Sequence, residues 1–258
     1  MKEYNKFFKS YLSGFVIHQN DPELSVTSNF INPFHLLLIR AFFTIYIFIV
    51  IVICIVYHTN DLINIFGHMT NISFYSLFVY LLLSLYLSIV YVRRDPNQAF
   101  QPKTGIVIAQ RLLYHTNLVF AFLISLTYWS LLFKEDYNSN HNSTYLFLTT
   151  SMHGFNYIII SIEFLLTKAK FYFVFVFFVQ LFSIFYLVLS IIIHEVFGVW
   201  TYFFMDYNKH PLFSILTFAF AFIAELIYGL LLILIHKLRD ALFNYLKSEK
   251  QDNSLYNS

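Results

Sequence analysis

Residues Tyr186 to Asp206, YLVLSIIIHEVFGVWTYFFMD, are the stretch that decides the fold. They overlap an apolar run, Phe171 to Ile193, that contains no charged residue. About 20 apolar residues are enough for a helix to cross the hydrocarbon layer of a bilayer, so this run predicts a transmembrane helix. His194 and Glu195 then lie where the helix leaves the hydrocarbon, and the aromatic residues that follow are typical of a membrane interface.

The composition of the whole chain agrees with a membrane protein. The chain has 258 residues, 59% of them apolar and 12% charged, and its mean hydropathy is +0.65. These values exclude an ordinary soluble domain. The net charge of +2 is small and spread along the chain, so we expect no nucleic-acid partner. The single cysteine, Cys54, lies in an apolar run, and no histidine pattern resembles a metal motif, so we expect no disulfide, metal ion or cofactor.

Six apolar runs are long enough to cross a membrane, which predicts an all-α, polytopic membrane helix bundle with six transmembrane helices. The runs are continuous and lack the alternation of a membrane β-barrel. The predicted spans are Phe34–Tyr57, Ile72–Val92, Ile106–Phe133, Tyr145–Thr167, Phe171–His194 and Pro211–His236. The chain therefore divides into an N-terminal segment (1–33), a six-helix transmembrane domain (34–238) and a polar C-terminal tail (239–258).

Positive charges outside the spans indicate the orientation of the chain. Most Lys and Arg residues lie in the terminal segments and in the second and fourth connections, whereas the other side has only Lys134 and Lys209. Both termini should therefore be cytosolic, which agrees with an even number of spans. A glycosylation sequon, Asn142-Ser143-Thr144, then falls on the outer side. We expect a multi-pass protein of an endomembrane or the plasma membrane, with an organelle inner membrane as the alternative.

Two polar residues near the outer side are of the types that a nucleophile and its general base require. A threonine hydroxyl becomes a nucleophile when a base takes its proton, and histidine is the usual base near neutral pH. Thr70 and His153 belong to different spans on one side of the membrane, which suits attack on an ester whose acyl chains lie in the outer leaflet. Asn156 shares a helix face with His153. The plainer interpretations are a helix cap for Thr70 and a packed, hydrogen-bonded histidine for His153.

A second layer of polar residues lies in the inner half of the predicted bundle, where an ionisable group is costly. Three of them share a depth of roughly 13–17 Å from the inner boundary, namely His115, Gln180 and Glu225. We predict that Glu225 pairs with one of the other two in a hydrogen-bond network between helices, with a proton path or a metal site as the alternative. Glu163 lies near the inner end of the fourth span, where it can approach Lys168 or Arg111, and we expect it to be structural too.

Several short motifs occur in a characteristic order along the chain. The segment MHGFNYIIISIE, Met152 to Glu163, has a histidine ten residues before an acid, and the quoted stretch has a histidine before G-x-W-x-Y-x-F-hydrophobic-acid. The matched positions are Met69-Thr70-Asn71, Tyr128-Trp129, His153, Glu163, His194, Gly198, Trp200, Tyr202, Phe204, Met205 and Asp206. In this order and with this number of spans, the chain resembles the androgen-induced protein family of multispan membrane hydrolases. That family includes the androgen-dependent regulator of tissue factor pathway inhibitor, and Rolling stone proteins look related to it.

The resemblance implies a threonine hydrolase of lipid esters, notably fatty-acid esters of hydroxy fatty acids. Thr70 would be the nucleophile and His153 the general base. Two positions depart from the family pattern, because Ile72 stands where many relatives carry tryptophan and Phe203 stands where they carry proline. The expected lipid pocket lies between the second, fourth and fifth spans, and its expected lining residues are Tyr128, Trp129, Asn156, His194 and Trp200.

Two other classes of function are compatible with the same sequence. The chain could be a non-catalytic structural subunit of a larger membrane complex, covered by partner chains. A lipid-accessible cavity with Thr70 and His153 in hydrogen-bond reach favours the hydrolase, whereas a filled bundle favours the subunit. A channel or transporter would need a polar path between the two polar layers, and no repeat or broken helix in the sequence suggests one.

Overall fold

The computed structural model describes residues 22–59, 61–139 and 142–256, and these residues are mostly helical. Within these ranges there is no β-strand, and an isolated bridge pairs Ser28 with Thr167. The predicted all-α architecture is confirmed. Residues 1–21 of the predicted N-terminal segment lie outside the described residues.

Helices follow one another along the chain with short connections. In order, they are α1 (Pro33–Tyr57), α2 (Leu62–Phe66), α3 (Met69–Arg93), α4 (Thr104–Thr127), α5 (Phe133–Ser139), α6 (Ser143–Thr150), α7 (Asn156–Leu166), α8 (Val174–Phe197) and α9 (Pro211–Tyr256). The first π turn, Tyr128–Leu132, joins α4 to α5, and the second π turn, Ser151–Phe155, joins α6 to α7. Short 3-10 turns occur at Pro22–Ser25 and Phe203–Met205.

Five helical segments in the described residues are long and apolar enough to cross a membrane, as in a membrane-embedded protein. They are Pro33–Tyr57, Met69–Arg93, Thr104–Leu132, Val174–Phe197 and Pro211–Leu246. The remaining predicted span is helical from residue 143 to residue 166, but the second π turn divides it into α6 and α7, each shorter than a membrane span. The last helix continues beyond its predicted end at His236, through most of the predicted tail, to Tyr256.

Helix α4 occupies the centre of the bundle. It packs against α3, α7, α8 and α9, while α1 packs against α3. In its most apolar window 56% of the residues are buried, against 22–33% in the other four candidate spans. The outer faces of those four helices expose apolar side chains, as expected where lipid replaces water as the solvent.

A buried ion pair ties α1 to α7 in the half of the bundle away from the loop that precedes α3. The Arg40 guanidinium donates to both carboxylate oxygens of Glu163 at 2.8–3.2 Å, and the Tyr80 hydroxyl donates to Glu163 Oε2 at 3.0 Å. Arg40 and Glu163 are 0% and 1% exposed. Arg40, a buried arginine of another helix, thus supplies the opposite charge for which the sequence offered Lys168 and Arg111.

The predicted network around Glu225 was wrong. Glu225 Oε1 accepts a hydrogen bond from the Ser183 hydroxyl of α8 at 2.5 Å. Gln180 instead donates to the backbone carbonyl of Phe222 at 3.4 Å, and the ring of His115 bonds to a carbonyl of its own helix. The three residues do share a layer, but the His115 ring packs on Phe175 and the Gln180 amide bonds to a carbonyl one turn before Glu225.

Gly229 allows a close approach of α9 to α8. A Cβ added at this position would lie 2.5 Å from Val176 Cγ2, and a β-branched side chain has little freedom to move aside. Overpacking typically costs about 1–3 kcal/mol, whereas alanine gains at most about 1 kcal/mol in helix propensity. Gly229→Ala is therefore expected to lower the midpoint of unfolding in detergent. Gly105→Ala is the matched control, since nothing lies within 4 Å of its Cβ position, and equal stability of the two variants would contradict the packing argument.

Candidate active site

Thr70 lies in the first turn of α3, directly after a tight connection. Helix α3 begins at Met69, and His68 occupies the N-cap position with an extended backbone. The Asn71 and Ile72 N–H groups both donate to the His68 carbonyl, whereas the N–H groups of Met69 and Thr70 have no partner within the helix. The Thr70 side chain is buried. The Tyr186 hydroxyl donates to the Gly67 carbonyl at 3.1 Å, which anchors the connection to α8.

His153 lies in the second π turn, where the helix is wider than a regular α-helix. Its ring stacks on the ring of Tyr128, which begins the first π turn, with centroids 3.7 Å apart and planes 15° apart. Two irregular helical turns therefore meet at this imidazole. Such turns are frequent at functional sites, because they redirect side chains that a regular helix would point elsewhere.

The Thr70 hydroxyl and the His153 ring lie within hydrogen-bond distance of each other. Thr70 Oγ1 is 3.2 Å from His153 Nε2. His153 Nδ1 lies 2.8 Å from the Thr149 carbonyl, which can only accept, so Nδ1 carries the proton. In the neutral ring Nε2 is then an acceptor, and the Thr70 hydroxyl donates to it. This tautomer is the one that a general base for Thr70 requires.

The hydroxyl of Tyr202, in the loop between α8 and α9, lies on the other side of Thr70. Its oxygen is 3.5 Å from Thr70 Oγ1. Burial raises the pKa of Tyr202, and hydrogen bonds with the Thr70 side chain and with the backbone of Thr70 and Met69 oppose part of that rise. Because the pKa lies above the usual value of about 10, the phenol keeps its proton at neutral pH and remains a hydrogen-bond donor.

A carboxylate stands behind the stacked rings. Asp136, in α5, accepts a hydrogen bond from the Tyr128 hydroxyl at 2.9 Å and another from the Tyr145 hydroxyl on its second oxygen. This network holds Tyr128 against His153. Sequence reasoning missed Asp136, Tyr145, Thr149 and Tyr202 as contributors to the site. The Tyr202 position did carry a signal, because it belongs to the aromatic motif that ends at Asp206.

A polar cavity opens beside the Thr70–His153 pair. Its volume is about 460 Å³. Besides Thr70 and His153, its polar lining includes His68, Asp136 and Tyr145. These side chains offer both donors and acceptors, so the cavity can hold water or a polar part of a ligand next to the threonine hydroxyl.

An apolar cavity meets the polar one at the same two side chains. It has a volume of about 440 Å³ and extends between α4, α8 and α9, where apolar side chains, chiefly leucine and phenylalanine, form most of its wall. Thr70, Tyr128, His153 and Tyr202 line both cavities. The pair thus lies at the junction of a polar and an apolar space. We call these two spaces the polar cavity and the apolar cavity.

The other residues expected in the pocket occupy different places. Asn156 is fully buried one turn below His153, and its amide donates to the Ser73 hydroxyl at 3.4 Å. His194 and Trp200 stack on each other with centroids 4.0 Å apart. Trp129 is 43% exposed and lies against Gly154. Of the five residues expected to line the pocket, the structure brings Tyr128 to the two cavities and places these four outside the linings.

The site contains the parts needed for nucleophilic attack by an alcohol. It combines a hydroxyl, a base in the matching tautomer and a phenol that lies beside the first two N–H groups of α3. In the described part of the chain, no group of three histidine, cysteine or acidic side chains is arranged to hold a metal ion. The arrangement suits acyl transfer from an ester whose apolar chain enters the apolar cavity.

Fold and site together define a helical, membrane-embedded protein with a threonine–histidine pair at the junction of two cavities. Comparison with models of protein families, with curated proteins and with solved structures finds no match for this chain.

Proposed function

We propose that the chain is an intramembrane hydrolase of lipid esters, with Thr70 as the nucleophile and His153 as the general base. The observation that carries this proposal is the 3.2 Å contact between the Thr70 hydroxyl and His153 Nε2 at the junction of the polar and apolar cavities. A filled bundle around these two side chains would have favoured a purely structural subunit, so the cavities support the hydrolase.

The proposed reaction begins when the acyl chain of an ester occupies the apolar cavity. Thr70 Oγ1 attacks the ester carbonyl carbon while its proton passes to His153 Nε2. The Tyr202 hydroxyl, whose oxygen is held by the first backbone N–H groups of α3, donates to the carbonyl oxygen as negative charge develops there. His153 then gives the proton to the leaving alcohol, the C–O bond breaks, and an acyl-threonine remains.

Water completes the cycle from the polar cavity. His153 Nε2 takes a proton from this water, whose oxygen attacks the acyl carbon. The ring then gives that proton to Thr70 Oγ1 as the bond between Oγ1 and the acyl carbon breaks, and a carboxylic acid is released. The Thr149 carbonyl keeps the ring in one tautomer throughout, because it holds the Nδ1 proton. This backbone oxygen takes the place that a carboxylate occupies in many hydrolases, and Asp136 acts from further away through Tyr128.

The proposal includes a sixth span and a cytosolic position for both termini. Residues 143–166 are helical throughout and would rise by roughly 36 Å at 1.5 Å per residue, which is enough to cross a bilayer of about 30 Å. In that topology the site lies near the outer leaflet, where lipid esters can enter it sideways. The bilayer is then both the solvent of the protein and the source of its substrate.

The resemblance to the androgen-induced protein family supports the same reaction. It suggests fatty-acid esters of hydroxy fatty acids as the substrate class. The residues that carry the resemblance include Thr70, Tyr128, His153 and Tyr202, and these four also line both cavities.

Hydrolysis by the purified chain in lipid nanodiscs tests the proposal. With fluorogenic esters of increasing acyl length, kcat/KM is expected to rise with length until the apolar cavity is filled, because each buried methylene contributes up to about 0.8 kcal/mol. Thr44→Ala is a suitable control variant, since this buried hydroxyl bonds to its own helix and lines neither cavity. A rate no higher than that of empty nanodiscs, for every ester, would contradict the proposal.

Asp136 is expected to be a positioning residue for His153. Asp136→Asn keeps the shape of the side chain but weakens its hold on the hydroxyls of Tyr128 and Tyr145, so the stacked imidazole can shift. We expect kcat to fall by between about 10- and 100-fold with little change in KM, since small displacements of reacting groups have effects of this size. Asp136→Glu should restore part of kcat. A change in KM alone would show that Asp136 acts on binding and not through His153.

A further inference from the structure

The apolar cavity has one strongly polar feature on its wall, away from the Thr70–His153 pair. Glu225 of α9 and Ser183 of α8 both line this cavity and contact each other through the hydrogen bond from the Ser183 hydroxyl to Glu225 Oε1. Glu225 lies about 21 Å along α9 from Pro211, at 1.5 Å per residue. The pair therefore lies well down the helix from the loop that carries Tyr202.

The second carboxyl oxygen of Glu225 lacks a partner in the described part of the protein. Glu225 is 1% exposed, and its Oε2 atom is buried without a hydrogen bond. The Gln180 amide, one turn before Ser183 on α8, donates to the Phe222 carbonyl. A buried polar atom without a partner is costly, and an acid inside a membrane helix is more costly still. A ligand that supplies the missing hydrogen bond would remove that cost.

Thr217 also lines the apolar cavity, but its hydroxyl donates to the Phe213 carbonyl of its own helix. It is therefore engaged within α9, whereas Glu225 has an open hydrogen-bonding position. The cavity has a long apolar wall, the Thr70–His153 pair at one position and, at another, a carboxyl group with one oxygen that lacks a hydrogen-bond partner. This pattern fits a chain that is apolar along most of its length and carries one small polar group.

We propose that Glu225 and Ser183 bind a free hydroxyl group on the acyl chain, so that esters whose acyl chain carries this second hydroxyl, distinct from the oxygen that forms the ester bond, are preferred over esters of unsubstituted acids. This proposal rests on the proposed hydrolase activity. A hydroxyl both donates and accepts, so it can complete the hydrogen bonding of a carboxyl group in either protonation state. It is also neutral, and burying it beside the apolar wall costs far less than burying an ammonium group.

Matched ester substrates test this assignment. One series carries an unsubstituted acyl chain and the other carries the same chain with a free hydroxyl at successive positions. In the wild-type protein kcat/KM for the best hydroxylated isomer is expected to exceed that of the unsubstituted ester by about tenfold, which corresponds to about 1.4 kcal/mol. The preference should peak at one or two neighbouring positions, because Glu225 is fixed in α9. Equal rates for all isomers would overturn the proposal.

Variants connect the preference to the two residues. Glu225→Leu and Ser183→Ala should each reduce the ratio of hydroxylated to unsubstituted kcat/KM, with Glu225→Leu bringing it to about one. Thr217→Val is the matched control in the same cavity, and it should keep the wild-type ratio, since that hydroxyl is bonded within its helix. A ratio that survives in Glu225→Leu would contradict the assignment.

Binding distinguishes a failure of this proposal from a failure of the proposed hydrolase. In Thr70→Ala the Kd of a hydroxylated fatty acid is expected to be about tenfold lower than that of the unsubstituted acid, and Glu225→Leu should remove the difference. If no ester is hydrolysed but the difference in Kd is found, the hydroxyl-binding site is supported and the proposed hydrolase activity is refuted. If esters are hydrolysed without any difference in Kd, or if a chain-borne amine binds more tightly than the hydroxyl, the hydroxyl site is refuted.

Discussion

Thr70→Ala is expected to lower kcat/KM for long-chain esters by at least about a thousandfold, and His153→Ala is expected to have a similar effect. The first change removes the attacking oxygen, and the second leaves the hydroxyl without the base 3.2 Å away. Because both residues act in one step, the double variant should be scarcely worse than either single variant. Steady-state hydrolysis in nanodiscs measures all three.

Thr70→Ser provides the matched comparison, because it keeps the nucleophile and removes one methyl group. It should retain activity within about tenfold of the wild type, since one buried methylene-sized group is worth only about 0.8 kcal/mol. Folding is controlled by monodispersity in detergent and by the unfolding midpoint. Full activity in a well-folded Thr70→Ala or His153→Ala protein would end the proposed mechanism.

Glu163→Leu is expected to destabilise the protein by about 3–5 kcal/mol, because it leaves the charge of Arg40 buried without its partner. Arg40→Met should cost less, since a lone glutamate can become neutral by binding a proton whereas arginine cannot lose one. The double variant, with two apolar side chains, should recover much of the loss. Reversible unfolding in mixed detergents gives the three free energies.

Strict additivity of the two single changes would contradict this account of the ion pair. It would mean that Arg40 and Glu163 contribute independently despite the contact of 2.8 Å between them. The Tyr80 hydroxyl, which also donates to Glu163, would then be the better explanation for the stability of this part of the bundle.

The sequence predicted the helical class and the five confirmed candidate spans because each depends on composition over about 20 residues. It also predicted that Thr70 and His153 lie on one side of the membrane, and the structure brings their side chains to 3.2 Å. Their catalytic roles stay a prediction. The depth of a residue in the membrane follows from counting residues along its span, so the sequence was enough to predict that these two residues lie at a similar depth.

The same counting could not predict which side chains on different helices form hydrogen bonds with each other. The sequence gives no direct measure of the rotation of one helix against another, so Glu225 was expected to meet His115 or Gln180 and instead meets Ser183. The role of Asp136 escaped for another reason. Asp136 follows the first π turn, and no residue pattern in the sequence predicts that turn. The turn brings α5, which carries Asp136, back to the site. Local propensity describes regular helices better than their interruptions.

The most direct measurement is the site of covalent labelling by a long-chain alkyl fluorophosphonate. The wild-type protein in nanodiscs is treated with the probe, digested and analysed by mass spectrometry. The adduct is expected on Thr70, with labelling abolished in Thr70→Ala, strongly slowed in His153→Ala and unchanged in Thr44→Ala. Labelling of another residue, or equal labelling of wild type and Thr70→Ala, would contradict the claim that the hydroxyl beside His153 is the nucleophile.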